Sequence, residues 1–465
     1  MIDGFFYVSR REGRVCLLYD ITIVGAGIAG VFLAYELADS GQKILLLDRG
    51  KRLEDRHPCP LDQANTCECN ACDTYFGFGG LGKSEGKFNY SNGFGGELEQ
   101  KVGAHTFKNL MRRVDDVLCR FGADTIPVYS TFQPNLSKRA EEAGLNMIHT
   151  DVRHLGTVKS IQVLQELYLY LLDKIDMKFE CEIASMDCQY DYFSIRTKQE
   201  VISSKQVVLA TGRSGSDWLT KIWDSFGISP SKTRLDLGIR VEMKAEQFRS
   251  VLQRAFETKL SFHHGEKVTT TYCMNPRGRI VRKYQDGLVM PDGQNYREKG
   301  SIGTANLNFT LFTPTYFSTQ QAADQYAHAI IEKINRDKAR IVVQRWEDLC
   351  NGMPTCMEML VRNEVKPTLE ADCGDLLEEV PGLYIAMLQT FFTRLEHFIQ
   401  EPIHPDTLLY GMDAKFYAPV IPTDPYMQTE VNGLFVVGDC SGISHSLSQA
   451  AACGLYVGEF LKQQY

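Results

Sequence analysis

Tyr19-Asp20-Ile21-Thr22-Ile23-Val24-Gly25-Ala26-Gly27-Ile28-Ala29-Gly30 is the stretch on which the fold is read. Its first half is short, β-branched and largely apolar, as expected of a strand buried on both faces of a parallel sheet. Three glycines follow at once. Gly25 permits a tight turn, Gly27 lets the backbone approach a pyrophosphate, and Gly30 lets a helix pack closely on the strand. The spacing predicts a helix from Ile28 through Ala29 to Ser40, its free amides and positive dipole end facing the phosphates. Gly41 ends it, and Lys43-Ile44-Leu45-Leu46-Leu47 reads as a second buried strand. Asp48 closes that strand, a carboxylate placed to accept hydrogen bonds from a ribose diol, with Arg49 beside it as a further contact. Asp48 also argues against NADP here, since a 2′-phosphate would meet a like charge. A lone glycine fingerprint is weak evidence, because glycines mark ordinary turns too. Strand, glycines, helix, strand and acid in register point to dinucleotide binding, without separating FAD from NAD.

Three further segments favour FAD. In Phe76-Gly77-Phe78-Gly79-Gly80-Leu81-Gly82-Lys83-Ser84-Glu85-Gly86-Lys87-Phe88-Asn89, glycines beside aromatics suggest a backbone passing close to a flat ligand. A flexible surface loop is the bland alternative, and three phenylalanines suit it poorly. Gln206-Val207-Val208-Leu209-Ala210-Thr211-Gly212 reads as a buried strand ending in a small-residue turn that returns to the cofactor sheet. Gly433-Leu434-Phe435-Val436-Val437-Gly438-Asp439 is a third such strand, followed by a Ser/Gly loop and a helix starting near Ser446 and Leu447. Asp439 would stand at the ribityl and phosphate region, and the helix N-terminus could stabilise negative charge on a reduced flavin.

Taken in order, these pieces resemble the uncharacterised FAD-dependent dehydrogenases, distant relatives of flavoproteins that include a bile-acid-pathway reductase. The resemblance runs from Tyr19 onward through His154-Leu155-Gly156-Thr157, Leu209–Gly215, Asp236–Glu242 and Thr271-Tyr272-Cys273-Met274 to Val437-Gly438-Asp439. It implies an α/β fold: a Rossmann-like FAD/NAD(P)-binding domain of the glutathione-reductase type with an inserted α+β substrate domain. The expected boundaries are an extension over 1–18, a discontinuous FAD-binding domain over 19–240 and 400–465, and a substrate-side domain over 241–399. Ile183, in an expected strand Phe179–Met186, would sit over the adenine. Two departures stand out: Gly438-Asp439 where relatives tend to have Gly-Glu, and Met412-Asp413-Ala414-Lys415-Phe416-Tyr417-Ala418 where an Arg/Thr/Ser-rich segment is expected.

Bulk properties exclude several classes. A net charge of −8 argues against a nucleic-acid footprint or a polybasic membrane anchor. No apolar run approaches the roughly 20 residues needed to span a bilayer. Ser9-Arg10-Arg11 superficially resembles a twin-arginine signal, but cleavage after it would remove the cofactor site; an added edge strand (Phe5–Val8, Val15–Leu18) is expected instead. Fourteen cysteines, many single and in apolar contexts, fit a reducing, cytoplasmic compartment. Cys59, Cys67, Cys69 and Cys72 cluster in a polar loop, but C-x7-C-x-C-x2-C matches neither a zinc nor a ferredoxin pattern, so free or redox-labile thiols are expected, with a metal site the lesser alternative.

Elsewhere helices are expected over Leu98–Phe121, Ser160–Ile175 and Ser318–Arg336, the last capped by Ser318, with a β-rich stretch from Leu237 to Phe312. No second complete GxGxxG appears, so a separate NAD(P)H domain is not expected. For catalysis, His445 could exchange a proton near neutral pH or simply contact phosphate or backbone. Lys83 is a second candidate, equally a flavin or phosphate contact, and Cys273 a third, equally a packed thiol. The function expected is an FAD-dependent oxidoreductase passing hydride through flavin N5 to or from a small organic substrate. An NAD-dependent Rossmann dehydrogenase and a flavin-binding protein without turnover are the alternatives. The electron partner is not readable from the sequence.

Overall fold

The computed structural model describes residues 18–57, 72–84, 86–189, 191–255, 258–295, 303–336 and 339–464. The expected strand Phe5–Val8, most of Val15–Leu18, Ser9-Arg10-Arg11, and Cys59, Cys67 and Cys69 lie outside these residues. The chain divides into two compact units: Met1–Val128, Val152–Ser231 and Ala418–Tyr465 form one, Tyr129–Asp151 and Lys232–Tyr417 the other.

The first unit is built on strands β1 (Leu18–Val24), β2 (Ile44–Leu47), β3 (Asp176–Lys178), β4 (Ile183–Gln189), β5 (Tyr192–Thr197), β6 (Val201–Leu209) and β7 (Leu434–Val436). Strands β3, β2, β1 and β6 run parallel in that order. The other edge of β6 is shared: β7 pairs with it in parallel along Val207–Leu209, and the β5–β4 hairpin extends antiparallel from Val201–Ser204. Alternation sorts the side chains. Ile44, Leu46 and Val208 join the core layer of helices α1 (Ile28–Leu37), α2 (Ala104–Arg120), α3 (Gly156–Leu172) and α5 (Leu447–Lys462). Leu45, Leu47, Val207 and Leu209 join Leu219, Ile222 and Trp223 of α4 (Ser216–Phe226) on the other side. Both faces are covered, which is why these strands read as continuous apolar runs.

Helices α1 and α5 approach closely because small residues meet there. A Cβ on Gly454 would stand 2.3 Å from the Ala29 carbonyl oxygen, and one on Gly458 2.7 Å from Glu36 Cβ. The expected helix Leu98–Phe121 is two, Leu98–Val102 and α2, broken at Gly103, whose φ of +82° leaves the helical region. Helix α3 starts four residues before the expected Ser160, and its Tyr168 ring meets buried Phe78 edge-on at 5.0 Å. That contact explains an aromatic in a glycine-rich loop.

Arg153 fastens α2 to this unit. Its Nε and NH2 donate to the two Asp115 oxygens at 2.7 and 2.8 Å, and the Tyr90 hydroxyl donates to the same carboxylate. Burial pushes the Asp115 carboxyl up, but Arg153 and Tyr90 outweigh it and hold it below the ordinary value. A depressed folded-state pKa stabilises above the unfolded value of about 4, and that stability is lost as pH falls through the lowered one. Asp115→Asn should therefore lower the melting temperature by a few degrees at neutral pH, and the gap should close as thermal melts are taken toward about pH 3. A gap that ignores pH would assign the loss to packing instead.

The second unit holds an eight-stranded sheet in the order Asp372–Cys373, Val342–Arg345, Leu408–Phe416, Thr233–Lys244, Asn306–Phe317, Lys267–Pro276, Lys259–His264 and Asn146–Ile148. The expected boundaries are corrected here. Thr233–Lys244 and Leu408–Phe416 pair with each other, and the former also with Asn306–Phe317, so they leave the segments 19–240 and 400–465. Residues 129–151 join the same unit through Asn146–Ile148. Leu235, Leu237, Ile239, Val241 and Met243 face an apolar layer with helices Gln320–Asn335 and Gly382–Ile399. The cap of Gln320–Asn335 is Thr319, which accepts from the Ala322 amide, not Ser318. Among the described residues no helix is long and apolar enough to cross a membrane.

Candidate functional site

The parallel strands β1, β2 and β6 end together, and the predicted cofactor residues gather at that edge. Gly25 leaves β1 at φ +111°; a Cβ there would lie 2.4 Å from the Ala210 carbonyl oxygen, and one on Gly30 would lie 1.9 Å from the Gly25 oxygen. The Gly25 amide donates to Leu47 at 2.7 Å and the Ala210 amide to Val24 at 2.7 Å, so the three strand ends are stitched around the turn. Gly27 caps α1, with Ile28 and Ala29 opening the helix. Gly79 bridges to Gly27, and its amide donates to Ala26 at 2.8 Å. A Cβ on Gly80 would come within 3.1 Å of Gly27 Cα. Two glycine turns far apart in sequence thus form one backbone cradle at a helix N-terminus, a setting suited to phosphate.

Asp48 does more than the ribose role its position predicts. Its Oδ2 accepts from the Ala26 amide at 2.7 Å, and its Oδ1 from Gly50 at 2.7 Å and Gly77 at 2.8 Å. At 9% exposure it clamps the two glycine turns together. A carboxylate offers about four acceptor positions, so one is left for a hydroxyl. Arg49 lies over the Phe76 ring, 4.5 Å from its centre.

Beside Asp48 opens a cleft of about 560 Å³, counting space open to solvent, lined among others by Arg49, Cys181, Ile183, Thr211 and Trp218. Among the described residues Thr211 Oγ1 and Trp218 Nε1 are buried polar atoms with no hydrogen-bond partner. Two orphaned donors in the wall of a cleft are expected where a polar ligand completes them. Trp218 was not singled out from the sequence, where a tryptophan on an amphipathic helix, here with Trp223 one turn and a half further on, reads as core.

The remaining predicted residues are placed as follows. Gly212 turns at φ +63°, and Arg213 Nε meets Asp439 Oδ2 at 3.4 Å, tying the end of β6 to the end of β7. Gly438, at φ +74°, packs on α1: a Cβ there would stand 2.7 Å from Ala29 Cβ. Ser446 caps α5 by accepting from Gln449, and Leu447 begins it. His445 lies in the loop that Gly95-Gly96 holds: Gly96 bridges Ser444, and the Glu97 amide donates to Ile443 at 2.6 Å. The Gly95-Gly96 pair, not singled out from the sequence, is the local signal that marks this contact. Lys83 lies at the end of the Gly80–Lys83 turn. Its ammonium donates to the Arg56 carbonyl, and burial together with the Arg56 charge holds it below its ordinary pKa.

Arg56 itself was missed. Its guanidinium donates to Phe78 at 2.5 Å, to Gly80 at 2.9 Å, to Thr74 at 3.2 Å, and twice to Asp73, so it shapes the Gly77–Gly80 turn from behind. Burial pushes the thiols of Cys440 and Cys453 up to about 11 and about 12, which keeps both protonated and unreactive. Cys273 lies in Lys267–Pro276; its side chain is outside what the structure describes. Among the described residues no group of three His, Cys, Asp or Glu side chains could hold a metal ion.

Residues 20–55 match the family model described as FAD dependent oxidoreductase, a span that holds most of β1, the glycine turn, α1, β2 and Asp48. No curated protein matches the chain in sequence. Similar solved structures include 3-ketosteroid-delta4-(5alpha)-dehydrogenase from Rhodococcus jostii RHA1, at 11% identity over 97% of this chain and 98% of that one, with a TM-score of 0.44. L-proline dehydrogenase from P. horikoshii is 11% identical over 97% and 95%, TM-score 0.41. Glycine oxidase from Geobacillus kaustophilus is 11% identical over 96% and 95%, TM-score 0.38. The family match, lying on the cradle itself, makes FAD the cofactor of this Rossmann-like α/β site.

Proposed function

We propose that this FAD-dependent oxidoreductase holds its cofactor in the glutathione-reductase manner and exchanges a hydride with a small organic substrate. The observation that carries the reading is the paired cradle, Gly25–Gly30 with Gly79-Gly80, at the N-terminus of α1. Its amides and helix dipole hold the pyrophosphate. Asp48 offers its remaining acceptor position to the ribose. Ile183 covers the adenine, and Thr211 Oγ1 and Trp218 Nε1 supply hydrogen bonds in the same cleft. Asp439 and the α5 N-terminus at Ser446-Leu447 serve the far end of the cofactor. When bound, the flavin supplies the acceptor or donor for the hydride.

The side chains then have two tasks, positioning and proton exchange. His445, immediately before the α5 cap, is the residue we assign to proton exchange. Lys83, committed to the Arg56 carbonyl, supports the glycine turn. The second unit is the inserted substrate domain in this reading. A cytoplasmic setting is supported by the nine cysteines whose side chains are described, all free thiols.

Denaturing the purified protein and separating the released cofactor should yield FAD in near-stoichiometric amount. Colourless protein that binds NAD overturns the assignment. Anaerobic reduction followed by reoxidation with added acceptors should show turnover; a flavin that never cycles would make the protein a sensor.

A further inference from the structure

Beyond the glycine cradle, the chain packs on the start of α5, and uncharged polar side chains collect there. Strand Lys87–Asn89 lies against α5. Just after it, Asn92 Oδ1 accepts from Gln449 Nε2 at 3.2 Å, and Gln449 Oε1 accepts from the Leu98 amide at 3.4 Å. A Cβ on Gly96 would stand 2.2 Å from Gln449 Oε1, so glycine lets the two segments close up. Asn89 and Ser91 on one side and Ser448 on the other flank this Asn92–Gln449 contact in sequence. All of them belong to the first unit.

Ser446 caps α5 by accepting from the Gln449 amide at 3.3 Å, and the first intrahelical bond runs from the Ala450 amide to the Ser446 carbonyl at 2.9 Å. The Leu447 and Ser448 amides stand ahead of it, where a helix leaves its N–H groups to an outside acceptor. Ser448 is 0% and Asn89 8% exposed. Among the described residues Ser448 Oγ, Asn89 Oδ1 and Ser91 Oγ are buried atoms with no hydrogen-bond partner. Helical side chains tilt toward the N-terminus, which sets Ser448 Oγ beside those amides. Each buried orphan costs about 1–3 kcal/mol, so three around one helix start call for a partner. The set also has a chemical signature. The two hydroxyls and two amides donate, the Asn89 carbonyl accepts, and none is charged. A phosphate, acceptor on every oxygen, would leave Asn89 unmet. An imide edge, with an N–H between two carbonyls, answers all of them, and a flavin ring carries such an edge.

We infer that Asn89, Ser91 and Ser448 hold the imide edge of the flavin ring, Asn89 Oδ1 accepting from its N3–H and the two hydroxyls donating to its carbonyls. The inference rests on the FAD reading above and assigns it residues that neither the fingerprint nor Asp439 supplies. Negative charge gathers on this edge when a flavin is reduced, so the Ser448 hydroxyl and the amides beside it favour the reduced form. Flavin exchange in the full-length protein tests the assignment, with FAD, with N3-methyl-FAD, which lacks the imide proton, and with ADP, which lacks the ring. The unmodified protein should bind FAD at least about ten-fold more tightly than N3-methyl-FAD. Asn89→Ala should bind FAD about ten-fold more weakly and lose that preference, while ADP binds as before. In the holoprotein, Ser448→Ala should lower the flavin reduction potential. Equal affinities for the two flavins in the unmodified protein, a result that needs no variant to fold, overturn the inference and leave the three atoms to ordered water. So does Asn89→Ala that keeps the preference while binding ADP normally, or a potential that Ser448→Ala does not move. Protein that discriminates the two flavins yet never turns over would sink the oxidoreductase reading and keep the imide site.

Discussion

Gly27→Ala should give a folded protein that has lost FAD. A Cβ at Gly27 meets nothing nearer than the Ala210 carbonyl oxygen at 4.0 Å, and its φ of −69° suits any residue. Alanine is a poorer helix cap than glycine, by up to about 1 kcal/mol, so the melting temperature should fall by a few degrees at most. The cofactor meets a different surface. Gly27 is where the α1 N-terminus and the Gly79-Gly80 turn meet, and in the binding mode proposed above a methyl there takes space that the pyrophosphate would need. Overpacking of this kind costs about 1–3 kcal/mol, and displaced amide contacts add to it, so FAD affinity should drop on the order of 100-fold. Gly25→Ala is the contrast. Its Cβ would stand 2.4 Å from the Ala210 oxygen at φ +111°, so β1 and β6 must part and the fold itself should weaken. Flavin absorbance per chain and thermal melts, measured together, separate the two. Full flavin in Gly27→Ala would remove the pyrophosphate from this cradle, and equal unfolding of both variants would make Gly27 a merely structural glycine.

What the sequence made legible was local. Strand β1, the glycine turn, α1, β2 and Asp48 fall within thirty-one residues, Leu18 to Asp48, and their periodicity and spacing suffice to read them. The strand ends at Leu209 and Val436, and the Ser446 cap, were legible for the same reason. What escaped was non-local. Asp48 spends three acceptor positions on amides, one of them Gly77, twenty-nine residues away, and no local pattern announces that partner. Trp218 reads as core because its orphaned nitrogen is visible only once the cleft is built. The second unit collects strands from both sides of the expected boundaries because sheet pairing, unlike helix formation, need not follow chain order. Gly103 could have been read as a helix break, but a run of helix formers on either side outweighed one glycine.

Arg56→Met should cost both stability and cofactor. Arg56 is 4% exposed, and burial draws its pKa down to about 10, still well above neutral, so it is a buried cation held by carbonyl oxygens. Methionine fills much of the same volume, which keeps the packing loss small. The hydrogen bonds are lost outright: the carbonyls of Asp73, Phe78 and Gly80 lose the guanidinium as a donor. Each buried orphan costs about 1–3 kcal/mol, and the set should total about 3–5 kcal/mol. The damage also has a direction. Gly80 and Phe78 flank Gly79, whose amide bonds Ala26 and whose backbone bridges Gly27, so freeing the turn opens the cradle. Hydrogen exchange at the Gly79 and Gly80 amides should speed up, the melting temperature should fall, and FAD should be lost in parallel. Arg56→Lys keeps the charge but not the five-donor fork, and should recover only part of each. If Arg56→Met melts with the unmodified protein and exchange at Gly79 is unchanged, glycine packing alone sets the turn, and the guanidinium contributes nothing to it.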